Sequence, residues 1–364
     1  MKVKDITNHL ESLAPRAYQE SYDNSGLLTG EPSQEITGVL VTLDCTEEVV
    51  HEAVDRGVNM IVAHHPIIFK GLKKLTGSNY VERTVLKAIR NNIALYAIHT
   101  NLDNVHTGVN RKIGKKIGLM NLQILLSKKD TLSKLVTFIP HQHEEAVMKA
   151  LHEAGAGQIG NYKNCSFRVE GTGNFMPNER ATPHLGQANQ QESVKEIRAE
   201  VIFPTHLEGK IVGALRNSHP YEEVAYYLTH LGNENQEVGS GMVGELEQPI
   251  EPMEFLRRLK SSMNLNTIRH TSLLGKKVKK VAICGGSGSF LLHQAISSGA
   301  DFFVTADFKY HEFFDADGKI TIADIGHYES EVFTKELIVE ILKEKFPTFA
   351  VNFSTTDTNP IRYL

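Results

Sequence analysis

An eleven-residue pattern of helix, glycine turn and apolar strand occurs twice in this chain, at residues 53–63 and 295–305. The two segments align without gaps, and Gly57 and Gly299 fall at the same position of each turn. A helix that leads into a buried strand is the building unit of βαβ folds. A match of this length also arises by chance between α/β proteins, so it favours two related half-domains without proving them.

The sequence around each copy continues the alternation of strand and helix patterns. Before residue 120, we predict strands at 36–43, 60–63 and 94–98 and helices at 46–56, 82–91 and 108–117. After residue 277, we predict strands at 278–284, 302–305 and 319–324 and helices at 290–298 and 330–345. The expected fold class is therefore α/β, with two related βαβ-type halves that form one domain around mostly parallel strands.

The segment between the halves has a different character, with more Gly, Asn, Pro and His and a looser alternation. We predict strands at 135–139, 166–170 and 199–203, a helix at 144–154, and a helix or strand at 208–216. This pattern indicates a small α+β domain inserted into a loop, where added length costs little conformational entropy. The expected boundaries are 1–128 and 247–364 for the two halves and 129–246 for the insert, with residues 239–244 as its flexible return.

Composition restricts the classes of partner and compartment. A formal charge of −4 gives no basic face for nucleic acid, so we do not expect nucleic acid as a partner. Three cysteines, far apart and without a CxxC pair, suit a reducing cytoplasm and leave histidines and carboxylates as metal ligands. No apolar run approaches the roughly 20 residues that span a bilayer. We expect a cytoplasmic protein without a membrane partner.

His64 and His65 close the apolar run at residues 60–63 and lead directly into Pro66. Neutral imidazole is a common ligand for zinc, iron, nickel and copper. Neighbouring residues of an extended strand point to opposite faces, so two histidines of one site must lie where the strand ends. The alternative interpretation is one core histidine and one surface histidine.

Further metal-ligand candidates follow other predicted strands. Asp103 comes after residues 94–98, while His327 and Glu331 are four residues apart at a helix start and share one face. Ligands bind beyond the carboxyl ends of parallel strands, so these side chains face one crevice with His64 and His65. Three imidazoles and two carboxylates suit two ions about 3.5–4 Å apart, with Asp103 or Glu331 as the bridge. The ions could be zinc, iron, manganese, nickel or cobalt.

Other polar residues near strand ends carry less specific signals. His99 is interpreted as structural more readily than as a ligand, and residues 23–26 fit either a site loop or a turn. Residues 285–289 fit either a phosphate cradle or a tight turn. The candidates for moving protons or holding phosphate are Asp307, Lys309, His311 and Glu329.

Five segments together resemble a known family, the Nif-three-like dinuclear metal proteins, also called GTP cyclohydrolase I type 2 homologs. The segments are YDNSGL at 22–27, AHHPIIF at 63–69, HTNLD at 99–103, TADFKYH at 305–311 and GHYESE at 326–331. The resemblance implies a two-metal site at His64, His65, Asp103, His327 and Glu331. It also implies a homohexameric toroid and an inserted α+β domain that is ferredoxin-like and similar to PII and CutA.

The leading hypothesis is a metal-dependent hydrolase that acts with metal-activated water on a small nucleotide-type substrate such as GTP. The first alternative is a non-enzymatic metal-binding regulatory or scaffold toroid that senses a small ligand through the inserted domain. The second alternative is a nucleotide or phosphodiester hydrolase that uses the same two-metal site.

Overall fold

The computed structural model describes residues 1–364, and the chain divides into two compact units. The first unit contains residues 1–127 and 236–364, and the second contains residues 128–235. The strands are β1 (Gly26–Thr29), β2 (Val39–Thr42), β3 (Met60–Ala63), β4 (Ala94–Ala97), β5 (Met120–Ser127), β6 (Leu132–Pro140), β7 (Phe167–Phe175), β8 (Glu192–Pro204), β9 (Tyr226–Leu231), β10 (Gly239–Ile250), β11 (Arg269–His270), β12 (Val278–Ser287), β13 (Phe302–Ala306), β14 (Thr321–Asp324) and β15 (Val351–Phe353). The α-helices are α1 (Val3–Leu13), α2 (Glu47–Asp55), α3 (Tyr80–Arg90), α4 (Thr100–Asp103), α5 (Val109–Lys116), α6 (Glu144–Ala154), α7 (Glu208–Ser218), α8 (Pro252–Ser262), α9 (Leu292–Ser297), α10 (His327–Glu331) and α11 (Thr334–Lys345).

The first unit contains two sheets, each with a parallel three-stranded centre. The strand order is β1-β4-β3-β2-β15 in one sheet and β11-β14-β13-β12-β10-β5 in the other. Strands β2, β3 and β4 pair in parallel, and so do β12, β13 and β14. The mixed α/β architecture predicted from the alternating pattern is confirmed.

The repeated segment has the same local structure in both copies. Helix α2 leads through Gly57, at a φ of 65°, into β3, and helix α9 leads through Gly299, at a φ of 74°, into β13. A positive φ is accessible to glycine without the steric cost that a Cβ brings. Thr46 caps α2, since its side chain accepts a hydrogen bond from the Val49 amide.

The two sheets exchange edge strands. Strand β5, which precedes the second unit in sequence, pairs with β10 in the sheet of the C-terminal half. Strand β15, at the C-terminal end, pairs with β2 in the sheet of the N-terminal half. One hydrophobic cluster therefore includes side chains of both sheets, among them Val41, Tyr96, Ile283 and Val304.

The segment 239–244, expected as a flexible return, is instead the start of β10, which pairs with both β5 and β12. Its glycines are needed for close packing. A Cβ at Gly239 would lie 2.2 Å from the Leu126 carbonyl oxygen, and one at Gly241 would lie 2.9 Å from that of Ile283. Glycine in this stretch permits strand contact rather than flexibility.

The second unit follows the element order β6, α6, β7, β8, α7, β9. Its four strands form an antiparallel sheet in the order β7-β8-β6-β9, and its core lies between one face of this sheet and helices α6 and α7. Residues 208–216, left open between helix and strand, lie in helix α7. No helix of the structure combines the length and apolar character needed to cross a membrane.

Candidate metal centre

His64 and His65 follow β3 directly, and both rings lie on the same side of the sheet end. The His64 amide donates to the Thr42 carbonyl and the His65 amide to the Leu43 carbonyl, so the chain leaves β3 still hydrogen-bonded to the neighbouring segment. The two ring centroids are 4.9 Å apart with planes tilted by 43°. The alternative of one core and one surface histidine does not describe this arrangement.

Six side chains form one cluster: His64, His65, His99, Asp103, His327 and Glu331. Its four histidines share one hydrogen-bonding pattern. The Nδ1 atom of His64 lies 2.8 Å from the Ile98 carbonyl oxygen. The Nδ1 atoms of three other histidines each contact a carboxylate: His65 with Asp44 at 2.7 Å, His99 with Asp23 at 2.8 Å, and His327 with Asp307 at 2.7 Å. A ring that donates from Nδ1 to an outer oxygen keeps its Nε2 atom for the cluster, which is the usual orientation of metal-binding histidines.

Glu331 lies at the centre of the cluster and is almost fully buried, with 3% of its side chain exposed. Its Oε2 atom is 2.9 Å from His65 Nε2 and 3.1 Å from His327 Nε2. Its Oε1 atom is 3.9 Å from His64 Nε2. Because His327 and Glu331 are four residues apart on α10, their side chains share a face, as the spacing predicted.

Asp103 and His64 contribute two polar atoms that lack protein partners. Asp103 Oδ1 and His64 Nε2 are buried, lie 3.6 Å apart and form no hydrogen bond. Buried polar atoms are nearly always satisfied, so such a pair needs an explanation. A cation between them would satisfy both atoms.

The charged groups of the cluster shift one another's pKa values. Burial, reinforced by the nearby charge of Glu331, raises the pKa of Asp103 to about 8. Burial alone would raise the pKa of Glu331, but hydrogen bonds from His327 and His65, together with the nearby His64 ring, hold it well below its usual value. Burial alone would lower the pKa of His65. Its hydrogen bonds to Asp44 and Glu331 outweigh burial and raise the pKa to about 10.

His327 behaves like His65. Burial lowers its pKa, but hydrogen bonds to Glu331 and Asp307 outweigh that effect and raise the pKa to about 9. A carboxylate surrounded by imidazolium rings is the protonated counterpart of a metal site, with protons in place of the cation.

The end of β12 leaves room for Glu331 because Gly285 and Gly286 have no side chains. Gly286 has a φ of 63°, and a Cβ there would lie 2.4 Å from Glu331 Oε1. The Gly286 amide donates to Ser330 Oγ at 2.9 Å, which ties the end of β12 to helix α10. Residues 285–287, predicted as part of a phosphate cradle or a tight turn, instead form the irregular end of β12, whose pairing with β13 shifts register between Ile283 and Ser287.

The cluster opens into a cavity of about 1030 Å³ within the first unit. Its wall includes His65, His99, Asp103, His327 and Glu331. It also includes exposed aromatic side chains. Tyr22 and Phe69 stack with ring centroids 6.5 Å apart and planes tilted by 18°. The Phe69 and His99 rings meet edge to face with centroids 5.7 Å apart. A planar molecule could therefore reach the cluster along an aromatic wall.

The four catalytic candidates do not share one location. Asp307 lies beside the cluster, where it holds His327. Lys309, His311 and Glu329 do not line the cavity. His311 packs against Tyr310 and Phe314 in a short helical turn, and Glu329 accepts a hydrogen bond from Asn359 in the C-terminal segment.

Three residues in or beside the cluster were not among the predicted ligands. His99 was interpreted as structural, yet the centroid of its ring lies 5.3 Å from that of His64 and 5.3 Å from that of His65. Asp23 was assigned equally to a turn, and Asp44 was not considered, although both hold cluster histidines. Asp44 follows the strand β2, so the rule that sites lie beyond strand carboxyl ends would have included it.

The fold and site define an α/β protein whose strand ends present histidines and carboxylates that could hold metal ions. Three overlapping groups have donor atoms within 4.8 Å of one another: His64, His65 and His99; His65, His327 and Glu331; and His64, Asp103 and Glu331. Imidazole nitrogen and carboxylate oxygen together suit divalent transition metals, so the residues fit such a cofactor.

Comparison with known proteins gives the family. The sequence model of Duf34/NIF3 (NGG1p interacting factor 3) matches residues 1–360, and the chain belongs to this family. It is 36% identical over 369 residues to a protein of Staphylococcus aureus (strain MSSA476) named GTP cyclohydrolase 1 type 2 homolog, covering 100% of both chains. A protein of the same name from Bacillus subtilis (strain 168) is 37% identical over 368 residues, covering 99% of this chain and 98% of the relative.

A solved structure supports the same assignment. The crystal structure of a Bacillus cereus protein related to NIF3 superposes with a TM-score of 0.87 at 36% identity, covering 100% of this chain and 99% of that one. The predicted resemblance to Nif-three-like proteins is confirmed.

Proposed function

We propose that this protein binds two divalent metal ions and is a metal-dependent hydrolase. The observation that carries the proposal is the position of Glu331, whose two oxygens face two different donor sets. Oε2 lies with His65 and His327, and Oε1 lies toward His64 and the unsatisfied oxygen of Asp103. One carboxylate shared in this way would bridge a pair of ions. Zinc, iron, manganese, nickel and cobalt all suit these ligands.

The chain's own residues orient the cluster. Asp44 accepts the Nδ1 proton of His65, and Asp307 accepts that of His327, so each ring presents Nε2 to the site. Bound ions would supply Lewis acidity and a nucleophilic water at neutral pH. Asp103, with its raised pKa, could exchange a proton at Oδ1 as the ions bind.

A nucleotide-type substrate is supported by the cavity wall and by the names of the relatives. Tyr22 and Phe69 offer stacking surfaces for a planar base beside His99. Lys70 lines the same cavity and offers a positive charge to a phosphate. The S. aureus and B. subtilis relatives are named GTP cyclohydrolase 1 type 2 homologs.

The proposal is tested by loading the full-length chain with each candidate metal and assaying GTP, other nucleotides and phosphodiesters. We expect turnover that disappears with a chelator and in the Glu331→Ala variant. The matched control is Glu344→Ala, an exposed glutamate of α11. Hydrolysis of phosphodiesters without opening of the guanine ring of GTP would favour the alternative of a nucleotide or phosphodiester hydrolase.

The rival function is a non-enzymatic regulatory or scaffold assembly. It is favoured by the second unit, which has its own core and its own cavity of about 710 Å³. Its element order and antiparallel sheet support a ferredoxin-like fold of the PII and CutA type. Full metal loading without turnover on any substrate of the panel would select this function.

For either function we propose a homohexameric toroid. Light scattering should then give a mass about six times the 40.6 kDa of one chain. A monomeric or dimeric mass for the metal-loaded protein would refute the hexamer and leave the metal assignment untouched.

A further inference from the structure

The second unit contains a cavity of about 710 Å³ on the sheet face that its helices leave uncovered. Ala199, Val201 and Phe203 of β8 point into the core with α6 and α7. Because side chains alternate along a strand, Glu196 and Arg198 point to the opposite face, and both line the cavity. A cavity of this size suits a small organic molecule.

Glu196 is a largely buried residue whose Oε2 atom stays open to the cavity. Only 6% of the residue is exposed. Its Oε1 atom accepts a hydrogen bond from the Tyr221 hydroxyl at 2.9 Å, and no protein group donates to Oε2. A Cβ at Gly173 would lie 2.0 Å from Oε2, so the glycine leaves this oxygen its space. A largely buried carboxylate with one oxygen open to a cavity favours a positively charged partner.

The groups around Glu196 do not supply that positive charge. Arg198, the one Arg or Lys in the lining, pairs with Glu200 at 2.9 Å. His219 accepts a hydrogen bond from the Tyr221 amide at Nδ1 and contacts the Phe138 carbonyl through Nε2, which is the pattern of a neutral imidazole. The lining also includes the carboxylates of Glu170, Glu222 and Glu223.

Aromatic rings form the apolar part of the wall. Tyr221 contacts Phe175 and His184 with centroids 6.1 Å apart in each case. Phe138 and Tyr227 meet edge to face at 5.7 Å. Aromatic faces attract cations and pack well against flat apolar groups.

We propose that this cavity binds a small organic amine in its cationic form, with the ammonium group at Glu196 Oε2 and an apolar or aromatic body against Phe138, Phe175 and Tyr227. The site lies within the second unit and is independent of the metal centre. The Glu196–Tyr221 pair would favour a ligand with a positive charge, and the aromatic wall would favour a ligand with an apolar or aromatic body.

The test is calorimetric titration of the full-length protein with 2-phenylethylamine and with phenylacetate, which has the same ring and the opposite charge. We expect one saturable site for the amine and none for the acid. Glu196→Gln should weaken amine binding by about tenfold, the effect of losing one charged hydrogen bond. Glu223→Gln is the matched control, since this lining glutamate is exposed, and it should change binding by less than about threefold.

Tyr227→Ala provides a second variant that does not disturb the buried carboxylate, because Tyr227 is 61% exposed. It should weaken amine binding by about threefold or more through loss of the aromatic wall. Equal binding of amine and acid, no saturable amine binding, or amine binding unchanged in both Glu196→Gln and Tyr227→Ala would overturn the proposal.

Discussion

His64 Nε2 and Asp103 Oδ1 face each other across 3.6 Å, both buried and both without a hydrogen-bond partner. His64 Nδ1 is satisfied by the Ile98 carbonyl, so only Nε2 is available to the cluster. Leaving two such atoms unpaired costs the folded protein free energy, about 1–3 kcal/mol for each. A bound cation would remove this cost, which is why the pair is the strongest local indication of a metal site.

Metal content should depend on the residues of this cluster. We expect Glu331→Gln to lower the bound metal to less than one ion per chain, because its two oxygens contact both donor sets. Asp103→Asn should leave about one ion per chain, since it belongs to one set only. Elemental analysis of protein purified in parallel measures both, with His293→Ala as an exposed control. Wild-type metal content in Glu331→Gln would refute the proposed bridge.

Metal affinity should rise with pH. Without metal, hydrogen bonds to carboxylates raise the pKa of His65 to about 10 and that of His327 to about 9, in each case against burial. Both rings are therefore protonated at neutral pH and must lose a proton to bind metal. We expect the apparent affinity for Co²⁺ to increase between pH 6 and 9, by about tenfold per pH unit for each proton displaced.

The proton count is measured by calorimetry of Co²⁺ binding in buffers that differ in ionisation enthalpy. His327→Asn should release fewer protons than the wild type. An affinity that stays constant over this pH range would show that neither ring must deprotonate.

Asp44 should matter for metal binding although His65 is the residue of the cluster that it contacts. Its Oδ1 atom accepts from His65 Nδ1 at 2.7 Å, and its Oδ2 atom accepts from Thr358 Oγ1 at 2.8 Å. We expect Asp44→Asn to weaken metal binding by about 10–100-fold, the usual effect of losing a carboxylate behind a ligand histidine. Thr358→Ala, which keeps the carboxylate, should have a much smaller effect in the same titration.

Gly286 should be sensitive to a single methyl group. Gly286 and Gly299 both have positive φ, but a Cβ at Gly286 would lie 2.4 Å from Glu331 Oε1, whereas one at Gly299 meets nothing within 4 Å. Alanine at either site costs about 1–2 kcal/mol of backbone strain. We expect Gly286→Ala to lose metal affinity as well, because Glu331 must move. Equal metal binding by the two alanine variants would contradict this contact.

Glu52 should anchor the C-terminal segment. Its carboxylate accepts hydrogen bonds from Ser354, from the Thr355 amide at 3.0 Å and from Thr356 Oγ1 at 2.8 Å. Burial alone would raise its pKa, but these bonds lower it from 4.5 to about 2. Because the folded-state pKa is lowered, the stabilisation is present above pH 4.5 and is lost as the pH falls toward 2.

The measurement for Glu52 is amide hydrogen exchange at residues 351–358. Glu52→Gln should speed exchange at Thr355 and Thr356, in line with a loss of about 1–3 kcal/mol for a charged hydrogen-bond network. Glu48→Gln, an exposed neighbour on α2, is the control. Unchanged exchange in Glu52→Gln would show that β15 is held by its pairing with β2 alone.

Local sequence patterns determined the elements and most of the cluster. Apolar runs and helical periodicity predicted β3, β4, β13 and helix α6 to within a residue or two, because strand and helix patterns depend on nearby residues. The i, i+4 spacing of His327 and Glu331 and the strand-end position of His64 and His65 are also local features. They sufficed to predict a shared crevice with Asp103.

Tertiary structure decided what the local pattern could not. The contacts of His65 with Asp44, of His99 with Asp23 and of Gly286 with Glu331 join segments distant in sequence, so no spacing rule predicts them. The same holds for the exchange of β5 and β15 between sheets and for segment 239–244, whose glycines fit a central strand as well as a loop. The sequence by itself determined which chemical groups are available and where each strand ends. Packing determined which groups meet, because close contact depends on the position of whole sheets and not on any one segment.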